Sequence, residues 1–236
     1  MDELGPRAGQ ANSLGGAIHS RCSGRPRHVP ASNSGNEVRA LAGSGDPWET
    51  PDMSVTTSSS PQVICLLRAV NVGGKNKVRM AALRSALEER GLRQVESLAA
   101  SGNVIVSTDL DETSLALLVE ETVSDSFRVS TRCITLRPDE LKSVLDDPVA
   151  APGALDWSRQ LFIVLPEVPP RNVTEAWSIH DLAGDDVAVL GRVVVQRCDE
   201  GISKAPMVVP FIERRWETIA TGRNRRTMEA LRERVR

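Results

Sequence analysis

The chain has 236 residues and a formal charge of −2, from 29 basic and 31 acidic residues. This balance excludes binding through bulk charge alone, and no apolar run is long enough for a signal peptide or a membrane span. Four cysteines without CxxC or Cys/His spacing predict neither a disulfide framework nor a metal site, and no cofactor is expected. Reduced thiols are typical of a cytoplasmic protein.

Residues 1–62 are dominated by Gly, Ser, Pro and Arg and have no hydrophobic periodicity. Such a segment buries too little apolar surface to offset its ordering entropy, so it is predicted to be a disordered extension. Met53 lies shortly before the first apolar run, and we expect it to be the true start of the chain. A functional arm that contacts nucleic acid through Arg21, Arg25 and Arg27 is the alternative.

The first half of the folded part, residues 63–146, is predicted to have the order β-α-β-β-α-β followed by a connecting helix. Its first helix carries Met80, Leu83 and Leu87 on one face and ends at Gly91. Asp111 is expected to cap the second helix. The strands of this half are predicted at 63–67, 94–98, 104–107 and 129–136.

The second half, residues 147–236, is predicted to repeat this order and to end in a further helix. One helix is expected to run through Val173, Trp177 and Ile179, and another over 207–215. The strands are predicted at 161–165, 187–190, 193–196 and 218–220. The fold class is therefore α+β, with two ferredoxin-like halves and a C-terminal helix.

The loop after the first strand has the features of an anion site. Gly73 and Gly74 allow positive φ angles and close approach of backbone N–H groups to a ligand. Lys75, Lys77 and Arg79 add positive charge just before a helix N-terminus. A tight turn with solvated lysines is the alternative interpretation, since the Walker A pattern is absent.

Two further segments contain residues that are typical of turns and helix caps. Residues 101–103, Ser-Gly-Asn, are typical of a hairpin turn. Residues 221–224 are predicted to open the last helix, with Asn224 or Thr221 as its cap. Arg223, Arg225 and Arg226 then lie at a helix start, where cations oppose the macrodipole. This unfavourable position indicates that they meet an anion or a partner.

Together these segments resemble the bacterial family called domain of unknown function 1697. Residues 67–80 read LRAVNVGGKNKVRM, close to the family's L-R-G-x-N-V-G-G-x-N-x-V-x-M. Residues 101–104 match its S-G-N and strand, and residues 221–227 match its T-x-R-N-x-x-T. The resemblance implies tandem ferredoxin-like halves and carries no established activity. This sequence departs from the family's pattern at Leu98, where the family commonly has Tyr. It also departs at Arg225 and Arg226, where the family commonly has Trp and Asn.

We therefore expect a small binding protein with an anion-binding cleft between its two halves, suited to a phosphate-bearing small molecule. The predicted ligand-binding residues are Arg68, Asn71, Gly73, Gly74, Lys75, Asn103, Arg223 and Asn224. An RNA-binding module is the first alternative, although the aromatic residues that stack bases are scarce. An enzyme acting on a phosphorylated small molecule is the second. No nucleophile and base pair is evident, and His180 is more typical of a helix-end or surface residue.

Overall fold

The computed structural model describes residues 60–151 and 156–235, and the predicted N-terminal extension lies outside these ranges up to residue 59, including Met53. The first four strands are β1 (Gln62–Leu67), β2 (Arg93–Leu98), β3 (Asn103–Ser107) and β4 (Cys133–Leu136). The accompanying helices are α1 (Met80–Glu89), α2 (Glu112–Phe127) and α3 (Pro138–Asp146). These elements follow the predicted order β-α-β-β-α-β-α.

The second set of elements repeats this order. Its strands are β5 (Gln160–Val164), β6 (Val187–Leu190), β7 (Val193–Arg197) and β8 (Thr221–Asn224). Its helices are α4 (Arg171–Ala176), α5 (His180–Ala183), α6 (Val208–Arg215) and α7 (Arg225–Arg232). The strands form two four-stranded antiparallel sheets, in the orders β2-β3-β1-β4 and β6-β7-β5-β8.

Strand β1 is buried on both faces, as its uninterrupted apolar sequence predicts. Side chains alternate across a strand, so Cys65 and Leu67 enter the core beneath α1 and α2. Ile64 and Leu66 point the opposite way, into a second core. The register pairs Ile64 with Leu136 of β4, which keeps this second apolar face continuous.

The second core is shared by the two sheets. Ile64 and Ile105 of the first sheet pack in one cluster with Phe162, Val164 and Val195 of the second. Helices α3 and α7 extend this cluster through Leu141, Val144, Leu145, Met228 and Leu231. Each such side chain stabilises the fold by roughly 1.5–3 kcal/mol when fully buried. The inner faces of both sheets are therefore covered.

A third core lies on the outer face of the second sheet. Ile163 and Val194 alternate away from the shared core and pack against Ile179, Ile212 and Trp216. The Trp216 indole donates to the Trp177 carbonyl oxygen at 2.9 Å, which satisfies its one polar atom. The three cysteines of the described ranges, Cys65, Cys133 and Cys198, are buried free thiols.

Three predicted helix ends are confirmed. Asp111 accepts a hydrogen bond from the Ser114 backbone N–H at 2.9 Å and so caps α2. Asn224 accepts from the Thr227 N–H at 3.0 Å and caps α7, which excludes Thr221 from that role. Gly91 follows the end of α1 with a φ of +90°, a conformation that glycine adopts without steric cost.

Three predicted elements are wrong in place or extent. The strand expected at 129–136 begins only at Cys133, because Arg128 in the left-handed region ends α2 and 129–132 connects the two elements. The helix expected through Trp177 is broken there at a ψ of 74°, which leaves two short helices. The strand expected at 218–220 lies instead at Thr221–Asn224, where the backbone pairs with β5.

Candidate anion-binding site

The loop between β1 and α1 is closed at its base by Asn71. The Asn71 Nδ2 group donates to the carbonyl oxygens of Val78 (2.9 Å) and Ala100 (2.6 Å), and Oδ1 accepts from the Val78 N–H (2.9 Å). Asn71 has a φ of +56°, a left-handed conformation that asparagine tolerates better than most residues. One side chain thus holds both ends of the loop and ties it to the β2–β3 hairpin.

The tip of this loop is open and positively charged. Gly73 and Gly74 are exposed, with φ angles of +58° and +76°, and a Cβ added to either would meet no atom within 4 Å. Lys75, Lys77 and Arg79 are also exposed. Within the described ranges these three cations have no hydrogen bond from the side chain and no ion pair. Their charge is therefore available to a ligand.

Helix α1 begins directly after these cations. Its N-cap residue, Arg79, makes no capping hydrogen bond through its side chain, and the first turn contains no acidic residue. The N–H groups of Met80, Ala81 and Ala82 are left without intrahelical acceptors, as at any helix start. Together with the helix dipole, they add to the positive potential of the loop.

A shallow recess of about 580 Å³ lies between this loop and the β2–β3 hairpin. Its lining residues are Asn71, Gly74, Lys77, Val78, Arg79, Met80, Ala99 and Ala100. The side facing the hairpin is apolar, whereas the loop side carries the charge of Lys77 and Arg79. The recess, called the loop recess below, can accept a small group beside the cations.

Behind the hairpin lies Arg223 of β8. Asn103 is fully buried, and its Oδ1 accepts from Arg223 Nε at 2.5 Å while its Nδ2 donates to the Leu98 carbonyl oxygen at 3.0 Å. The other donors of Arg223 are also satisfied inside the protein. They bond Thr221 Oγ1 (2.9 Å) and the carbonyl oxygens of Gly222 (2.9 Å), Leu67 (2.8 Å) and Ser101 (3.0 Å).

No carboxylate in the described ranges neutralises Arg223. Burial lowers the pKa of its guanidinium to about 10, so the side chain stays protonated at neutral pH. Stabilisation comes from neutral oxygen atoms of Leu67 in the first sheet, Ser101 in the β2–β3 turn and Thr221 in the second sheet. Arg223 therefore fastens the second sheet to the hairpin that borders the loop recess.

The remaining predicted residues make other contacts. Arg68 forms an ion pair with Glu213 of α6 at 2.7 Å, so a protein carboxylate already offsets its charge. The Asn224 side-chain oxygen is occupied by the α7 cap. The contacts thus connect Asn71, the hairpin, Asn103 and Arg223 in one network, which Arg68 and Asn224 do not join.

Two buried arginines were not predicted as site residues. Arg192 pairs with Glu140 of α3 (2.5 Å) and Glu112 of α2 (3.0 Å). Arg225 pairs with Glu229 at 3.0 Å. The anion that Arg225 meets thus lies four residues along its own helix, a spacing that could have indicated the pair. Arg192 follows Gly191 and looks like an ordinary turn residue, so the sequence contains no comparable signal.

The fold and this site define an α+β protein with two antiparallel sheets and a cationic loop. Residues 61–194 match the model of a family described as "Protein of unknown function (DUF1697)", and the chain belongs to that family. The resemblance inferred from residues 67–80 and 101–104 is thereby confirmed, whereas residues 221–227 lie outside the matched range. None of the described helices combines the length and apolar character that crossing a bilayer requires.

A solved structure shares this architecture. The chain is similar to the conserved bacterial protein SP0830 from Streptococcus pneumoniae, with 25% sequence identity and a TM-score of 0.53. The likeness covers 73% of this chain and 97% of that chain. No curated protein matches the sequence.

Proposed function

We propose that the chain is a small anion-binding protein whose ligand binds at the tip of the β1–α1 loop. The observation that carries the proposal is a segment of one sign of charge, residues 75–84. It contains Lys75, Lys77, Arg79 and Arg84, all exposed, without an intervening acid and without an ion pair in the described ranges. Unpaired like charges repel one another, and a bound anion would relieve that repulsion.

The groups around the loop suit a phosphate. The backbone N–H groups of Gly73 and Gly74 and those at the start of α1 can donate to phosphate oxygens. Lys75 and Lys77 supply ammonium groups, and Arg79 supplies a guanidinium for charge-assisted hydrogen bonds. The ligand class is accordingly a phosphate-bearing small molecule, with its uncharged part against the apolar side of the loop recess.

The predicted residues divide into two roles under this proposal. Gly73, Gly74 and Lys75 contact the anion. Asn71, Asn103 and Arg223 hold the loop and the hairpin in position and do not contact it, because their polar atoms are engaged inside the protein. Arg68 and Asn224 lie outside both groups, since each has an internal partner.

We also propose that the fold consists of two tandem ferredoxin-like halves. Each sheet has the strand order of a ferredoxin-like plait, with the first and third strands of its half in the centre. The halves are 63–146 and 147–236, and the shared core of Ile64, Phe162 and Val195 supports their packing as one unit.

Cytoplasmic location is consistent with buried free thiols.

RNA binding on a sheet face is not favoured. RNA-binding plaits stack bases on exposed aromatic residues of the sheet. Here the inner faces bury one another, and the outer faces lie under α1 and α2 or under α5 and α6. No observation favours an enzyme acting on a phosphorylated molecule over a protein that binds one.

Thermal unfolding of the full chain with inorganic phosphate, pyrophosphate, ATP and a short RNA tests the proposal. A ligand at about 100 times its Kd stabilises the fold by about 2.7 kcal/mol, so one phosphate compound should raise Tm. Lys75→Ala/Lys77→Ala/Arg79→Ala should abolish that shift. The control Lys142→Ala/Arg171→Ala/Lys204→Ala removes the same charge from other exposed positions and should keep it. An equal shift in both variants would contradict the proposal.

A further inference from the structure

Three of the four sheet edges are protected against pairing with another strand. On the β4 edge, the Cys133 N–H donates to the Glu120 carboxylate (2.8 Å), and the Thr135 carbonyl accepts from Arg192 (2.9 Å). The β2 edge is interrupted by a register shift between Arg93 and Glu96. Charged side chains and bulges of this kind prevent edge-to-edge association.

The β8 edge is closed by the protein itself. The carbonyl oxygen of Gly222 accepts from Arg223, and the same guanidinium bonds Leu67 of the first sheet. Strand β8 also runs directly into α7, which begins at Arg225. No partner strand has room to pair where the first sheet already makes these contacts.

The β6 edge differs from the other three. Its sequence, Val-Ala-Val-Leu, contains no charge and no proline. The two-residue turn of the β6–β7 hairpin makes Leu190 a hydrogen-bonded partner of Val193, so Val187 and Val189 direct their N–H and C=O groups away from the sheet. Across residues 60–151 and 156–235, no group bonds these outward atoms. Val189 is also 37% exposed.

Two recesses flank this edge, and Val189 lines both. The larger, about 550 Å³, lies toward α3 and includes Asp139, Ser143 and Asp147. The smaller, about 240 Å³, lies toward α4 and α5 and includes Glu175 and His180. Side chains of an added strand alternate between the two faces of a sheet, so successive residues would enter the two recesses in turn.

The acidic residues around β6 indicate the charge of the partner strand. Asp139 and Asp147 border one recess, Glu175 borders the other, and Asp185 and Asp186 immediately precede the strand. Arg137 lies 3.4 Å from Asp139, Arg171 pairs with Glu175 and Arg197 pairs with Asp186, whereas Asp147 and Asp185 have no ion pair in the described ranges. A second copy of the same edge would bring these acids together, and like charges across an interface are unfavourable.

We propose that the β6 edge binds an extended, lysine- or arginine-bearing strand of a partner protein, which becomes the fifth strand of the second sheet. Main-chain hydrogen bonds to Val187 and Val189 supply affinity, and the carboxylates of the two recesses supply specificity. This surface is independent of the β1–α1 loop. Loss of anion binding in the loop variant therefore leaves it unaffected.

A synthetic peptide of alternating lysine and valine, about seven residues long as an ordinary strand is, serves as the probe. Its counterpart with glutamate in place of lysine is the charge control. The full chain should bind the lysine peptide and not the glutamate peptide. Hydrogen exchange of the Val187 and Val189 amides should slow on binding, because these N–H groups become hydrogen-bonded.

Variants separate backbone pairing from charge. Val189→Pro removes one outward N–H without touching the β6–β7 ladder and should abolish binding, whereas Val189→Thr keeps the N–H and should bind normally. Asp139→Asn/Asp147→Asn should weaken binding roughly two- to tenfold. The control Glu88→Gln/Glu89→Gln, on exposed positions of α1, should not change it.

Three results would overturn the proposal. Equal binding of the glutamate peptide would refute the chemistry assigned to the partner. Self-association that Val189→Pro abolishes, without peptide binding, would make a second copy of this chain the occupant. Unchanged exchange of the Val187 and Val189 amides at saturating lysine peptide would show that β6 is not the docking edge.

Discussion

Arg223 and Asn103 lie 120 positions apart in the sequence and share a buried hydrogen bond, from Nε to Oδ1. The guanidinium has no carboxylate partner in the described ranges, and its other donors end on oxygen atoms of both sheets. This cation joins the two sheets directly behind the hairpin that borders the loop recess. Its role is structural, and its effect on the site is to hold the hairpin in place.

Replacement of Arg223 by methionine should lower the free energy of unfolding by on the order of 3 kcal/mol, because buried oxygens of Leu67 and Ser101 lose their donors. Arg223→Lys should recover little of this loss, since an ammonium group cannot supply the planar set of donors. Urea unfolding measures both. Arg226→Lys, at an exposed arginine, is the control and should be neutral. Full stability of Arg223→Lys would contradict the network.

Any side chain at position 102, in place of Gly102, is predicted to destabilise the fold. An added Cβ would lie 2.7 Å from Leu67 Cβ and closer still to Val70 Cγ2, and φ is +76°. Gly102→Ala should cost roughly 1–3 kcal/mol or more through overpacking and backbone strain. Gly191→Ala is a matched control, with a φ of +59° and no atom within 4 Å of the added carbon. Equal Tm values for the two variants would contradict the close packing of the hairpin on β1.

The Arg192–Glu140 pair should make stability fall in acid. Burial raises the pKa of Glu140, but hydrogen bonds and charges from Arg192 and Arg137 outweigh burial, and the pKa is lowered from its ordinary value of 4.5. A lowered folded-state pKa stabilises the fold above the unfolded value, and this contribution disappears as the pH falls through the folded value. The stability difference between the native chain and Glu140→Gln should therefore shrink below pH 4.5.

Unfolding measurements on both proteins between neutral pH and strongly acidic pH check this expectation. Glu140 is only partly buried, so the difference at neutral pH should be modest. A stability difference that stays constant through the acidic range would show that Glu140 titrates in the same way in both states.

Arg225 and Glu229 form a pair in which both side chains are almost completely buried, at 5% and 6% exposed. Glu229→Ala should cost about 3–5 kcal/mol, because it leaves a buried cation without its carboxylate. Arg225→Met should also be destabilising, because the Ala150 and Gln160 oxygens lose their donor. The double variant Arg225→Met/Glu229→Ala should lose less than the sum of the two single losses, since no buried cation is then left unpaired. A double-mutant cycle by urea unfolding compares them, and additive losses would contradict the coupling.

Local sequence signals predicted much of the fold. The strand over 187–190 has the predicted bounds, and the Asp111 cap and the end of α1 at Gly91 follow from chemistry within a few residues of each position. The last strand was predicted at 218–220 and not at β8, because Thr-Gly-Arg-Asn is polar and resembles a loop. Pairing with β5 and the burial of Arg223 by distant groups make it a strand, and no local pattern contains that information.

The candidate site was predictable to a similar degree. Gly73, Gly74 and Lys75 are exposed at a loop tip, as a glycine-rich, charged sequence suggests. The sequence could not reveal that the Asn71 side chain closes the loop or that Glu213 neutralises Arg68. Such assignments depend on which side chains meet across the fold, and the spacing of residues in one chain does not determine them.

The most direct test of the anion-binding loop is an NMR titration of the isotopically labelled chain with pyrophosphate, following backbone amide shifts. We predict saturable shifts concentrated at Gly73, Gly74 and the first-turn amides of α1, and their loss in Lys75→Ala/Lys77→Ala/Arg79→Ala. Shifts that fall elsewhere, or that persist in this variant, would contradict the assignment of the site to this loop.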